Sequence, residues 1–357
     1  MTCSRAIRRL LLCAALACSA ALVLTSPALA VPRIVAHSRD YIERVVIDGT
    51  NVYWVASAEL HRTDLTTGAD SVIYSAPGNG YIAEIAAGGG RVSARSFISR
   101  AHSIIERLAT GDPAGPLHVV ATASSRDYKK GSCGSSLLGG RITPEGTEVY
   151  AKTYYTRTRK HCTGKWKYKT RVLADDRPTT PGVLPTPRLL YTSKLSFPFD
   201  PQLVGRTLLL QNTRTFEIVN LDTRAVVRKR ALGKSTIYGE LDPSANLITN
   251  RLPFSSDNVT SSIATAASNY TTGGTLTGRG GNDWFYPCGG RLVNTHFGNS
   301  ATIDAVPNPF APLPGAAQTI LPATKIELGS FACTSTRVTF TAYPRIGSDV
   351  YVDDFIG

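Results

Sequence analysis

The 357-residue chain is 42% hydrophobic and only 18% charged, with a formal net charge of +13. Such a composition supplies a sizeable core and excludes a disordered protein. Two ordinary domains or one large repeat array both fit the length.

Residues 1–30 read as a secretory signal peptide. Arg5, Arg8 and Arg9 form a positive start, Leu10 to Leu24 is an apolar run, and Ala28-Leu29-Ala30 is a small-x-small cleavage signal ahead of Val31. Ser19 interrupts the run, and Thr25, Ser26 and Pro27 follow it, so it is short for a bilayer span of about 20 residues. A second reading takes Ala15-Leu16-Ala17-Cys18 as a lipobox, with a lipid anchor on Cys18. Either way the expected product, residues 31–357, is exported. No other apolar run is long enough to cross a membrane.

Val31 to His37 is a short apolar strand that stands alone. The next stretch, Val45 to Tyr74, gives the clearest unit: Val45 to Ile47, a turn at Asp48-Gly49, Val52 to Ala56, Glu59 to Asp64, a Thr-Gly turn, and Val72 to Tyr74. β-Branched and aromatic residues between turns every eight to twelve positions, with no sustained helical period, are an all-β signal. Weaker versions of the cadence run over Tyr81 to Ala123, Leu138 to Tyr191, Phe199 to Leu232, Ile237 to Leu276, Trp284 to Leu321 and Ile326 to Phe355.

One turn residue marks each unit: Gly49, Gly90, Gly146, Gly205, Ala245, Gly290 and Ser335, at intervals of 41, 56, 59, 40, 45 and 45 residues. A period of roughly 40 to 45 residues with four strands is the pitch of a β-propeller blade, and the two long intervals flank one insertion. The seventh unit has three strands, which would leave a hydrogen-bonding edge open. The Val31 to His37 segment is expected to fill that place and close the ring.

DGTNVYWVA, ITPEGTEVYAK and LDPSANLITN resemble the Ser-Pro-Asp-Gly signature, followed by apolar alternation, of TolB-type and related YWTD-like propeller repeats. DLTTG and NLDTRAV resemble the turn between their third and fourth strands, while Pro144-Glu145-Gly146 departs from Pro-Asp-Gly. The resemblance covers most of the chain after the signal. It implies a single propeller of six to eight blades, of which the seven units favour seven, and transfers no function.

Four cysteines follow the signal segment: Cys133, Cys162, Cys288 and Cys333. An even number in an exported chain points to disulfides, and four cysteines permit three pairings. Cys133 with Cys162 and Cys288 with Cys333 would each join neighbouring segments, at about 3 to 4 kcal/mol apiece through loop closure. No CxxC spacing or suitably spaced histidine supports zinc, and no metal or cofactor is expected.

No nucleophile elbow, P-loop, HExxH or dinucleotide fingerprint occurs. Glu43, Asp48, Glu84, Asp242, Asp283 and Asp304 lie near strand ends, where they would either face a central channel as general acid and base or simply fix turns. Asp64, Asp70 and Asp222 sit beside turn residues as oxygen donors without a calcium-loop motif, and His118 and His296 are isolated.

The most unusual segment runs from Arg126 to Arg171, with twelve Lys or Arg against Asp127, Glu145 and Glu148, a net charge of +9. The chain after the signal carries +10, so nearly all of its excess charge falls here. Tyr150 to Thr156 and Lys167 to Leu173 are expected to pair, with Arg157 to Trp166 as a protruding hairpin pinned by Cys133 and Cys162. Arg157, Arg159, Lys160, Lys165, Trp166, Lys167 and Tyr168 then form a finger of cations and aromatics suited to a polyanion. Outside the cell that means a teichoic or uronic polysaccharide, an anionic lipid surface or extracellular DNA. The sequence therefore reads as a secreted, monomeric, non-catalytic propeller that binds or scaffolds a protein or an anionic cell-surface polymer. The alternative is a glycan lyase or hydrolase with its site at the central channel.

Overall fold

The computed structural model describes residues 32–126, 133–159, 163–178, 186–231, 235–253, 259–271, 273–276, 283–296, 301–309, 318–324, 327–344 and 347–355. Strand β1 (Arg33–Ser38) is followed by blade 1, formed by β2 (Ile42–Asp48), β3 (Asn51–Ala56), β4 (Glu59–Asp64) and β5 (Asp70–Ser75). Blade 2 holds β6 (Tyr81–Gly88), β7 (Arg91–Arg100), β8 (Ser103–Gly111) and β9 (His118–Ser124). Blade 3 holds β10 (Gly134–Leu138), β11 (Glu148–Arg159), β12 (Thr163–Asp175) and β13 (Arg188–Ser193), and blade 4 holds β14 (Phe199–Val204), β15 (Thr207–Gln211), β16 (Thr215–Asn220) and β17 (Ala225–Ala231). Blade 5 comprises β18 (Ser235–Leu241), β19 (Leu247–Pro253), β20 (Thr260–Ala264) and β21 (Gly273–Leu276). Blade 6 comprises β22 (Asp283–Cys288), β23 (Arg291–His296), β24 (Ala301–Pro307) and β25 (Gln318–Thr324). The last blade joins β26 (Glu327–Cys333), β27 (Arg337–Tyr343) and β28 (Ser348–Asp354) to β1.

The protein is thus an all-β propeller of seven four-stranded antiparallel sheets, the middle of the expected range of six to eight. The blades pack face to face, so a middle strand is buried on both sides. In NVYWVA, Val52, Trp54 and Ala56 meet Val350 and Val352 of the last blade, while Tyr53 and Val55 meet Ile82, Val92 and Ala94 of blade 2. Period-two alternation therefore distributes one apolar strand between two cores. Burying each such side chain contributes roughly 1.5 to 3 kcal/mol.

The ring closes as the sequence predicts. β1 pairs antiparallel with β28, with Ile34 opposite Tyr351 and His37 opposite Asp349, and His37 Nδ1 lies 2.7 Å from the Asp349 carboxylate. Without β1, β28 would present an open edge. A disulfide between Cys288 and Cys333, with Cα atoms 5.6 Å apart, ties the first strand of blade 6 to that of blade 7. Cys133 is disulfide-bonded; Cys162, its expected partner, lies outside the described residues, as do residues 1–31, which include the expected signal segment 1–30.

Side chains also couple blades to one another. Gln211 of blade 4 donates to Gly239 O and accepts from Gly239 N–H, and Asn250 of blade 5 does the same at Phe285. These buried amides satisfy backbone groups on the free edge of each next inner strand.

The third unit departs from expectation in its extent. Its first strand begins at Gly134 rather than Leu138, and β11 and β12 continue to Arg159 and from Thr163. Arg157 faces Trp166 and, past a bulge, Arg159 faces Thr163, so the expected hairpin loop is mostly ribbon. Good β-formers (Tyr154, Tyr155, Trp166, Tyr168) and the absence of Gly or Pro between Glu148 and Gly164 let the ladder run on. No helix among the described residues is long and apolar enough to cross a membrane.

Candidate functional site

The finger and the central channel gather the polar chemistry. Gly134 pairs with Tyr155, so every β11 residue beyond Tyr155 projects past the start of the inner strand of blade 3. Alternation then sorts the ribbon. On β12, Lys165, Lys167, Lys169 and Arg171 share one face, and Trp166, Tyr168, Thr170 and Val172 share the other. Cross-strand partners follow suit: Lys167 faces Thr156, Lys169 faces Tyr154 and Arg171 faces Lys152, whereas Trp166 faces Arg157 and Tyr168 faces Tyr155.

On the cationic face, Lys165, Lys167, Lys169 and Arg171 are all exposed. The Tyr154 ring meets Lys152 Nζ at 5.3 Å and the Arg171 guanidinium at 5.4 Å. Lys152 also donates to Thr122 O at 2.6 Å, which fixes the base of the face on blade 2. Among the described residues no carboxylate pairs with Lys167, Lys169 or Arg171.

The opposite face is aromatic. The Arg157 guanidinium lies 3.9 Å from the Trp166 ring centroid, Tyr155 meets Trp166 edge-on at 5.6 Å, and Phe197 reaches Tyr168 at 5.2 Å. Nearer the core this face ends at Thr153 and Thr170, fully buried and hydrogen-bonded to each other at 2.8 Å. Cations and aromatics are therefore largely sorted onto two faces, with Tyr154 among the cations and Arg157 over Trp166 on the other side. Of the predicted finger residues, Lys165 and Lys167 lie on the cationic face, and Trp166, Tyr168 and Arg157 on the aromatic one. Lys160 and the side chain of Arg159 lie outside the described residues.

The first strands of six blades and, in blade 3, the segment Gly139 to Ile142 that follows β10 line a central cavity of about 560 Å³. Within it, Arg141 of blade 3 donates to Asp200 of blade 4, from Nη2 at 3.1 Å and from Nε at 3.3 Å, and Nη2 also reaches Glu240 of blade 5. One guanidinium thus ties three successive blades. Burial works against its charge, but the two carboxylates outweigh that and hold its pKa far above the ordinary arginine range. Burial pushes the Glu240 carboxyl upward, with Arg141 opposing. Arg141 counts toward the basic segment in sequence yet lies in the channel, away from the finger.

Local backbone explains how these groups converge. The β14–β15 ladder slips between Phe199 and Gln202, and Asp200 in that bulge takes a left-handed conformation, φ 47°. Such a bulge re-aims a side chain, here toward the channel. A Cβ on Gly140 would lie 1.5 Å from Val149 O, so only glycine lets the chain pass there and deliver Arg141.

Of the predicted channel carboxylates, only Glu84 lines the cavity. It binds Arg95 Nε at 2.8 Å and accepts the Gly139 N–H at 2.8 Å. The others serve elsewhere. Asp48 accepts the Gly90 N–H, Asp242 accepts the Ser244 and Asn246 N–H groups and the Asn308 amide, and Asp283 meets His296 at 3.1 Å. Glu43 is exposed on β2, and Asp304 is buried on β24. Asp64 holds a turn through Thr66 N–H, Asp70 accepts from Thr63, Asp222 pairs with Arg206, and His118 is exposed on β9. Asp200 and Glu240 escape sequence reading because neither a bulge nor the approach of three blades is written in local spacing.

A second buried polar cluster underlies the finger. Glu148 and Asp175 face each other at the base of β11 and β12, both fully buried, with Arg91 of blade 2 donating to the Asp175 carboxylate at 2.7 Å. Burial, with Asp175 nearby, pushes the Glu148 carboxyl up to about 7, against Ser93, Arg91 and Thr110.

No protein-family model matches the sequence, and no curated protein matches it either. Solved structures do. A chain of the mitotic checkpoint complex superposes with a TM-score of 0.53 at 10% identity, over 92% of this chain and 93% of that one. The β-propeller domain of Cps50 (Swd1) from Myceliophteria thermophila superposes with a TM-score of 0.51 at 11% identity, over 91% and 100%. The β-propeller domain of the trilobed protease from Pyrococcus furiosus gives 0.49 at 11% identity, over 77% and 82%. At such identities the likeness is one of fold, and the fold is the β-propeller.

Proposed function

We propose that the protein is an exported, non-catalytic binding module that holds an anionic polymer against the finger of blade 3. The carrying observation is the exposed row Lys165, Lys167, Lys169 and Arg171 on a continuous strand pair, with no carboxylate among the described residues on Lys167, Lys169 or Arg171. Charge held uncompensated at a surface costs self-repulsion and favours an anionic partner. The channel supports a structural role instead, because Asp200 and Glu240 are both engaged by Arg141.

The test is retention on an anionic matrix. The variant Lys167→Gln/Lys169→Gln/Arg171→Gln is compared with a control of equal net charge, Arg100→Gln/Arg214→Gln/Arg230→Gln, altered at exposed sites on blades 2 and 4. The finger variant should elute at clearly lower salt than both the control and the unaltered protein. Identical elution of the two triple variants would sink the proposal.

A further inference from the structure

Resting on that reading, we infer that the polymer is a phosphodiester chain without bases, a poly(polyol phosphate), and that the spacing of the cations selects it. The four cations occupy alternate positions of a single strand, Lys165, Lys167, Lys169 and Arg171. Alternate residues of a strand recur every ~6.5 to 6.8 Å, so the row spans ~20 Å in a straight line. Pairing with β11 is continuous from Trp166 to Asp175 and keeps Lys167, Lys169 and Arg171 in one register, while Lys165 stands next to the irregularity opposite Arg157 to Arg159.

Two residues of an extended polypeptide and one glycerol-phosphate repeat contain the same number of backbone bonds. Extended side by side, strand and polymer therefore keep step, one phosphate to each cation. A polyuronate has one bond fewer per charge and folds the rest into a pyranose ring, so its carboxylates fall out of register after one or two repeats. Lysine suits the phosphates as a point charge, and Arg171 can add a forked contact.

Single-stranded nucleic acid shares the phosphate spacing, but its binding to such surfaces draws on aromatic platforms for the bases. Among the described residues the cationic face offers one ring, Tyr154, already met by Lys152 and Arg171. Trp166 and Tyr168 lie on the other face of the ribbon. The face is thus built for phosphates alone.

The experiment measures equilibrium binding of the full chain to three labelled probes of matched charge number at equal ionic strength: poly(glycerol phosphate), polygalacturonate and oligo(dT). Poly(glycerol phosphate) should bind at least tenfold more tightly than either of the others. The triple variant Lys167→Gln/Lys169→Gln/Arg171→Gln should lower the slope of log K against log salt by about 2, from three contacts at roughly 0.7 each. A relocation variant, Thr156→Lys/Lys167→Thr, keeps the charge on the same face but moves it to the neighbouring strand. It should lose most of the preference for poly(glycerol phosphate) while binding polygalacturonate unchanged. Equal binding of all three probes, or a relocation without effect, would show that charge density alone is read and overturn the spacing inference, leaving the polyanion reading intact. Tighter binding of oligo(dT) would overturn the choice of a base-free chain. Failure of every probe to bind would overturn both readings.

Discussion

Blades 1 and 3 are built on one pattern and end in opposite ways. In blade 1, β3 and β4 are six residues each and turn back at Ser57-Ala58. In blade 3, β11 and β12 reach twelve and thirteen residues. Their alternation is unbroken across the boundary: Thr170 and Val172 are buried on the face that farther out carries Trp166 and Tyr168, and the other face becomes a line of cations. What differs is the cover. Inside the ring, alternation sends side chains into two cores; beyond it, the same alternation makes two solvent faces of different chemistry. Scaffold and surface function occupy opposite ends of a single strand pair.

The largest effects should come from opening the scaffold. A chain starting at Arg39 lacks β1, which uncovers β28 and the side of Val350 and Val352 against which Val35 and Ala36 pack. Its thermal unfolding is expected to lose cooperativity, and its amide exchange should rise first in β26, β27 and β28. Converting Cys288 and Cys333 to serine frees a 45-residue loop, for which chain entropy gives a loss of about 4 kcal/mol. If the ring is closed by its ends, the truncation should cost more than the disulfide. The reverse order in denaturant titrations would show that the covalent tie, and not β1, closes the last blade.

Most of this scaffold was legible in the sequence. Val45 to Tyr74 announced its strands because a middle strand buried on both faces reads as an apolar run between turn residues, and NVYWVA is such a run. The N-terminal strand was legible through a shortage, three strands where four were needed. The channel was not: Arg141, Asp200 and Glu240 are distant in sequence and meet only through ring closure, a bulge at Asp200 and a close approach at Gly140. On the finger, the charge was plain but its sorting was missed, although Lys165-Trp166-Lys167-Tyr168-Lys169 alternates residue by residue. Reading Arg157 to Trp166 as loop removed the period that would have separated the two faces.

A smaller and more selective effect concerns the buried base of the same strand pair. Glu148 has a folded-state pKa of about 7, above its ordinary value of 4.5. Between those values the folded protein holds a proton that the unfolded chain has lost, so stability falls as pH rises through that window and levels off above it. Burial also raises Asp175, with Arg91 opposing, and this acts in the same direction. Glu148→Gln should flatten the decline in thermal midpoint between pH 5 and pH 8 while leaving polymer retention at fixed pH unchanged. A slope unaltered by the substitution would mean that Glu148 is ionised in the folded state.

Trp166→Ala should cost about 1 to 2 kcal/mol, from the edge-on contact with Tyr155 and the Arg157 guanidinium over the ring. Neutralising Lys167, Lys169 and Arg171 should cost almost nothing, and this is the sharpest test of the comparison. Exposed positions away from caps and buried networks change stability by about 0.5 kcal/mol or less, and these three lie in a like-charged row whose members repel. Removing them relieves that repulsion, so the variant should be as stable as the unaltered protein or slightly more so at low salt. The difference should vanish as salt screens the row. A loss of more than about 1 kcal/mol would place the cations in the scaffold, through packing of their stems on Tyr154 or Thr156, and the division of β11 and β12 into a structural end and a binding end would fail.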